Sequence, residues 1–142
     1  MGVADYDVIV VGAGMAGINA TATAIGSGAK VALVERDRIG GTCPIRGCIP
    51  SKTLIHSAEV AHMARRASEF GIEVGEVRVD YPKVIERVQS IVDRGSNGAT
   101  GYLESLEALD IFHGEARMTG PHEVAVNGDS LRAPRVVLAT GS

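Results

Sequence analysis

The chain is sparing with cysteine, holding two thiols, Cys43 and Cys48, in 142 residues. So few argue against a disulfide-stapled scaffold and leave buried thiols, redox chemistry or metal ligation as their uses. Basic charge is scarce too. The formal net charge is −3 and the arginines are scattered, so the footprint of a nucleic-acid binder is missing. Long apolar runs are absent: Val8 to Val11 is far too short to cross a bilayer, and Met1 to Asp7 carries two acids and no base, unlike a secretory signal. The expectation is a cytoplasmic protein with neither membrane nor nucleic acid as partner. Internal repeats and low-complexity tracts are also lacking. What is present is 45% apolar residues, enough to build the core of one modest globular domain.

The first 35 residues are the most legible. Val8 to Val11 is a β-branched run of the kind expected for a strand buried on both faces. Gly12, Gly14 and Gly17 then form G-x-G-x-x-G ahead of an Ala-rich helical stretch to about Ile25, a stop at Gly26-Ser27-Gly28, and a second strand from Lys30 to Val34. In such a βαβ unit the first glycine allows the tight turn, the second lets backbone approach a pyrophosphate, and the third lets helix pack on strand. The helix N-terminus would then offer its N–H groups to the phosphates. Glu35 stands 18 residues after Gly17 at the end of the second strand, where a carboxylate can accept from both ribose hydroxyls of an adenosine. The fingerprint predicts a dinucleotide without choosing between NAD and FAD.

The segment "GGTCPIRGCIPSK", Gly40 to Lys52, contains both cysteines. Ser51-Lys52-Thr53-Leu54 begins an amphipathic pattern, which sets the thiols at a helix entrance where the dipole favours thiolate. Thiols at this spacing can close a small disulfide loop if the helix is distorted. Two cysteines supply only half of a tetrahedral zinc site, and His56 lacks a companion at ligand spacing, so no metal is expected.

Taken together, G-x-G-x-x-G, Glu35, G-G-T-C-x4-C-x-P-S-K and the terminal "RAPRVVLATGS" resemble the class I pyridine nucleotide-disulfide oxidoreductases, the flavoprotein family that includes dihydrolipoamide dehydrogenase, glutathione reductase and mercuric reductase. The resemblance covers nearly the whole chain. It implies an α/β fold: a Rossmann-like FAD-binding domain, three layers around a parallel sheet, with an added small antiparallel β-meander. It also implies FAD as prosthetic group and NAD(P)H as co-substrate of the full-length enzyme. Cys43 would be the interchange thiol attacking the substrate disulfide, Cys48 the thiol beside the flavin, and Lys52 a cation near the flavin N5. Cofactor contacts are implied at Gly12, Gly14, Gly17, Glu35, Gly41, Thr42, Lys52, Ala116, Ala139, Thr140 and Gly141. Ser51-Lys52 is more similar to dihydrolipoamide dehydrogenase and mercuric reductase than to glutathione reductase, so the implied substrate is a small lipoamide-like disulfide, with mercuric ion as the alternative. A truncated flavin-binding module without catalysis is the non-enzymatic alternative. Residues 1–142 correspond to the first part of the family's N-terminal FAD-binding domain; the NAD(P)-binding domain and the interface domain, which makes the family's homodimer, are absent from them. The 142-residue chain alone is therefore expected to be inactive.

One feature departs from the family. Pro44-Ile45-Arg46 stands where members commonly carry an apolar residue, Asn and Val, and Arg46 would bring a cation within reach of the thiols, to lower a thiolate pKa or attract an anionic substrate, unless it simply extends into solvent. The rest reads as structural. Thr53 to about Phe70 predicts one helix with Leu54, Ala58, Ala61 and Met63 on its apolar side; Tyr81 to about Leu109 predicts one or two, interrupted near Gly95 to Gly98. "IFHGEARM", "HEVAVNG" and "PRVVLATG" predict short strands, with turns at Gly120-Pro121 and Asn127-Gly128. The four histidines, His56, His62, His113 and His122, read as surface or packing residues.

Overall fold

Val8–Val11 (β2) is apolar at every position because both of its faces are covered. In the computed structural model, which describes residues 3–141, β2 lies inside a four-stranded parallel sheet in the order β4-β3-β2-β8, where β3 is Val31–Glu35, β4 is Leu109–His113 and β8 is Arg135–Leu138. Ser142, the last residue of the Ala-Thr-Gly-Ser motif, lies outside the described residues. Register runs Val11 to Val34 to Phe112 on one side and Val11 to Leu138 on the other, so all four strands end together at one rim.

Side chains alternate across the sheet and sort two cores. Val8, Val10, Val31 and Leu33 pack under two helices, meeting Ile18 and Ala24 of α1 (Met15–Gly26) and Leu103 of α4 (Tyr81–Glu104). Ile9, Val11, Ala32 and Val34 point the other way, onto Val124, Val126 and Leu131 of a second sheet. That sheet has the order β1-β7-β6-β5, from β1 (Val3–Asp5), β5 (Arg117–Gly120), β6 (Glu123–Val126) and β7 (Asp129–Arg132). The three layers are helices, parallel sheet and meander, as expected, with an addition: β1 pairs parallel to β7 and makes the meander sheet mixed. The β6–β7 turn is Asn127-Gly128, both at positive φ (52° and 90°), the geometry that favours this dipeptide in tight hairpins. "IFHGEARM" is not one strand; it crosses from β4 to β5 at Gly114 to Ala116.

The helical region differs from expectation in two ways. The helix predicted from Thr53 begins at Cys48 as α3 (Cys48–Arg65) and gives way to a single 3-10 turn, Ala67–Phe70. Of its residues only Thr53 is buried; Leu54, Ile55, Val60 and Met63 are exposed, so the apolar side faces outward rather than into this core. The second difference is that α4 runs unbroken through Gly95 and Gly98. Each internal glycine costs roughly 1 kcal/mol against alanine, but Val88, Val92, Ser96 and Leu103 form one buried face that repays it, and Asp80 caps the helix by accepting from the Lys83 N–H at 3.3 Å. Among the described residues, no helix is long and apolar enough to cross a membrane.

Ser96 has a further task. Its buried hydroxyl donates to the Ile39 carbonyl at 2.8 Å, fastening the loop after β3 to α4. Ser96→Ala leaves that carbonyl without its partner, at a cost of about 1–3 kcal/mol. A urea titration should show the lowered midpoint, and an unchanged midpoint would contradict the role.

Candidate functional site

The carboxyl ends of β2, β3 and β8 share one rim, and the sheet order reverses there: the chain leaves β2 towards β3 and β4, and β8 returns on the opposite side of β2. A crevice at such a switch point is where open α/β sheets receive ligands. Here it is a cleft of about 540 Å³, walled by the glycine turn after β2, by Glu35 to Arg38 after β3, by Gly40 to Cys43, and by Leu138 to Gly141 after β8. Three stretches distant in sequence, 12–16, 35–46 and 138–141, thus meet at one place. Gly12, Gly14, Glu35, Gly41, Thr42, Cys43, Ala139, Thr140 and Gly141 all line it. Ala116 lines an adjoining hollow of about 420 Å³ that also touches Gly12, Glu35, Thr140 and Gly141.

The glycines divide their work. Gly12 has φ +100°, and a Cβ there would run into the Ala139 carbonyl oxygen; a Cβ on Gly17 would overlap the Gly12 carbonyl. Both are demanded by the fold itself. Gly14 is different. It has an extended backbone (φ −76°), and a Cβ would meet only the Gly41 Cα at 3.7 Å. The protein leaves this space free on the wall of the cleft, directly at the start of α1, where no side chain caps the helix. Uncapped N–H groups beside a cradle that a side chain would fill suit an anionic diphosphate.

Glu35 is already engaged. Its Oε2 accepts from the Ala13 N–H at 2.6 Å and its Oε1 from the Asp37 N–H at 2.8 Å. Each carboxylate oxygen can accept twice, so the residue can tie the glycine turn to the following loop and still take hydroxyl donors from a ligand. The loop is fixed further by the Gly40 N–H to the Ala13 carbonyl (2.9 Å), and by an ion pair from Arg38 to Asp93 of α4 (2.9 Å).

The cysteines lie on two helices. Cys43 is in the short α2 (Thr42–Arg46), and Cys48 opens α3 after Gly47, whose φ of −119° and ψ of −103° break the helical path. That break supplies the distortion that a loop between the two sulfurs needs. Both are exposed free thiols. Interaction with the Cys48 sulfur, chiefly a hydrogen bond between the side chains, pushes the Cys43 thiol above its ordinary value, with desolvation adding to it; the Cys48 backbone N–H and the Lys52 ammonium pull the other way. The expected lowering by the helix start is therefore outweighed at Cys43. Lys52 is exposed on α3, one turn beyond Cys48 and on the same face. It does not line the cleft, and neither does Cys48 or Gly17.

Arg46 extends into solvent, its side chain 65% exposed, but not as an unpaired cation. At the surface its guanidinium is ion-paired with the Asp37 carboxylate, and it has no part in the shift at the Cys43 thiol. The pairing holds the Asp37 carboxyl below the usual carboxylate range. The sequence offered no signal for this, because the partner lies in a loop with no period of its own. All four histidines are exposed, and none lines the cleft.

Comparison with known proteins points the same way as this geometry. The family model described as pyridine nucleotide-disulphide oxidoreductase matches residues 6–142. The chain is 39% identical over 139 residues to the dihydrolipoyl dehydrogenase of Acholeplasma laidlawii, covering 97% of this chain and 41% of that protein. It is 38% identical to the dihydrolipoyl dehydrogenase of Bacillus subtilis, over 97% of this chain and 32% of that protein. Against the mercuric reductase of Bacillus cereus identity is 33%, over 97% of this chain and 22% of that protein. The chain thus spans less than half the length of these relatives. A cleft at the sheet's switch point with a dithiol at its edge, in a sequence matched almost end to end, identifies the chain as a member of the pyridine nucleotide-disulphide oxidoreductase family.

Proposed function

We propose that these residues form the flavin-holding, dithiol-carrying portion of an FAD-dependent NAD(P)H:disulfide oxidoreductase whose substrate is a small disulfide of the lipoamide type. The observation that carries the reading is the convergence of the glycine turn, Glu35, the Gly40–Cys43 segment and Ala139–Gly141 on one cleft. Identity favours the dihydrolipoyl dehydrogenases (39%) over the mercuric reductase (33%). Bound FAD would supply a two-electron donor and acceptor. The N–H groups at the start of α1 would hold its pyrophosphate and Glu35 its ribose hydroxyls. Gly41, Thr42, Ala139, Thr140 and Gly141 would wall it, and Ala116 would contact it from the adjoining hollow.

The chain's own chemistry is the dithiol. Oxidation of Cys43 and Cys48 forms one S–S bond and releases two protons and two electrons; reduction reverses this. On this reading Cys43 is the interchange thiol and Cys48 the one next to the flavin, the two being carried on separate helices either side of the break at Gly47. Lys52, one turn beyond Cys48, would stabilise the negative charge of reduced flavin. NAD(P)H binding and the homodimer interface belong, on this reading, to sequence outside these residues, and the exposed apolar side chains of α3 are surface for those parts to cover. The enzyme is placed in the cytoplasm.

The test is NADH or NADPH oxidation by the full-length protein with lipoamide, glutathione disulfide or mercuric ion. Turnover is expected with lipoamide, dependent on Cys43. The 142-residue chain with added FAD should show none above free flavin. Turnover with mercuric ion alone would replace the substrate assigned here.

A further inference from the structure

Arg46 closes α2, the helix that carries Cys43, and Asp37 lies two residues beyond Glu35; both line the cleft, from different walls. Their ion pair ties one wall to the other. It also completes a continuous series. The Arg46 guanidinium donates to the Asp37 carboxylate, the Asp37 N–H donates to Glu35 Oε1 (2.8 Å), and the Ala13 N–H donates to Glu35 Oε2 (2.6 Å). The cysteine helix is thereby linked through the ribose-facing carboxylate to the glycine turn.

We propose that Arg46 and Asp37 form a strap between the two walls of the cleft that slows release of the bound dinucleotide, and that both are positioning residues for its adenosine end. The inference rests on the FAD reading above. Three observations favour a strap over a role at the thiols. The guanidinium is committed to Asp37, the cation that acts on Cys43 is Lys52, and Arg46 has no part in the Cys43 shift.

Both partners are exposed, Arg46 at 65% and Asp37 at 46%, so the effect is modest and sensitive to salt. The experiment measures FAD release from the loaded full-length protein, as the rise in flavin fluorescence on dilution, at low and high ionic strength. Arg46→Met and Asp37→Asn should each release FAD roughly two- to fivefold faster than the parent at low salt. The double variant should be no faster than either single, the signature of one shared interaction. High salt should speed the parent and leave the variants nearly unchanged. In Arg46→Met the pH midpoint of the long-wavelength thiolate–flavin band should stay where it is. A loaded parent and single variants with equal release rates would overturn the strap alone, as would additive effects in the double variant. A shifted midpoint in Arg46→Met would assign Arg46 to the thiols instead. A full-length parent that binds no flavin would overturn the cofactor reading, and the strap with it.

Discussion

Gly14→Val is expected to leave the fold standing and to remove flavin binding. The backbone at Gly14 is extended, a conformation open to valine, and the nearest obstacle to a Cβ is the Gly41 Cα at 3.7 Å. The protein therefore loses little. The added branches occupy the cradle before the first turn of α1, where the pyrophosphate is assigned. Excluding two charge-assisted hydrogen bonds there, at about 1.5 kcal/mol or more each, corresponds to at least roughly a hundredfold in affinity. Gly17→Ala is the contrasting control, because its Cβ collides with the Gly12 carbonyl inside the protein and the fold itself should fail. Circular dichroism and FAD titration separate the two outcomes. A Gly14→Val protein that is folded and binds FAD as tightly as the parent would remove the diphosphate from this turn.

The second large effect concerns the dithiol. Cys43→Ser and Cys48→Ser should each lower disulfide turnover on the order of a thousandfold or more, since either change leaves no S–S bond to form. The two should differ in their spectra. Two-electron reduction of the full-length parent is expected to give a long-wavelength band from a thiolate beside the oxidised flavin. Cys43→Ser should keep that band accessible, because it spares Cys48, the thiol assigned beside the flavin. Cys48→Ser should abolish it. The reverse pattern would exchange the two roles.

Much of the site is legible in the sequence because its parts are local. The run Val8 to Val11, the glycine turn and the short helix declare themselves through side-chain period and through glycines that a close approach requires, at Gly12 and Gly17. Elsewhere the deciding partner is remote. Three residues, Val3 to Asp5, have no strand signature and become β1 only by pairing with β7. Gly95 and Gly98 read as a break, yet α4 continues because residues on either side of them are buried, with Ser96 bonded to the Ile39 carbonyl and Leu103 packed into the core under the parallel sheet. The crossing at Gly114 to Ala116 hides inside a stretch with no proline or turn dipeptide, although it serves two sheets. The apolar pattern of α3 correctly marks a helix but not what covers it, and period alone carries no information about that. Arg46 is legible as a departure and illegible in its pairing, since an ion pair depends on where two loops come together.

On the reading proposed above, the cleft at the switch point of the parallel sheet is a flavin dinucleotide site with the dithiol at its edge. A crystal structure of the full-length protein with FAD tests it most directly. The pyrophosphate is expected against the first N–H groups of α1, the ribose hydroxyls on Glu35, and the flavin ring beside Cys48 rather than Cys43. FAD bound elsewhere, or bound here with the flavin ring remote from both cysteines, would contradict it.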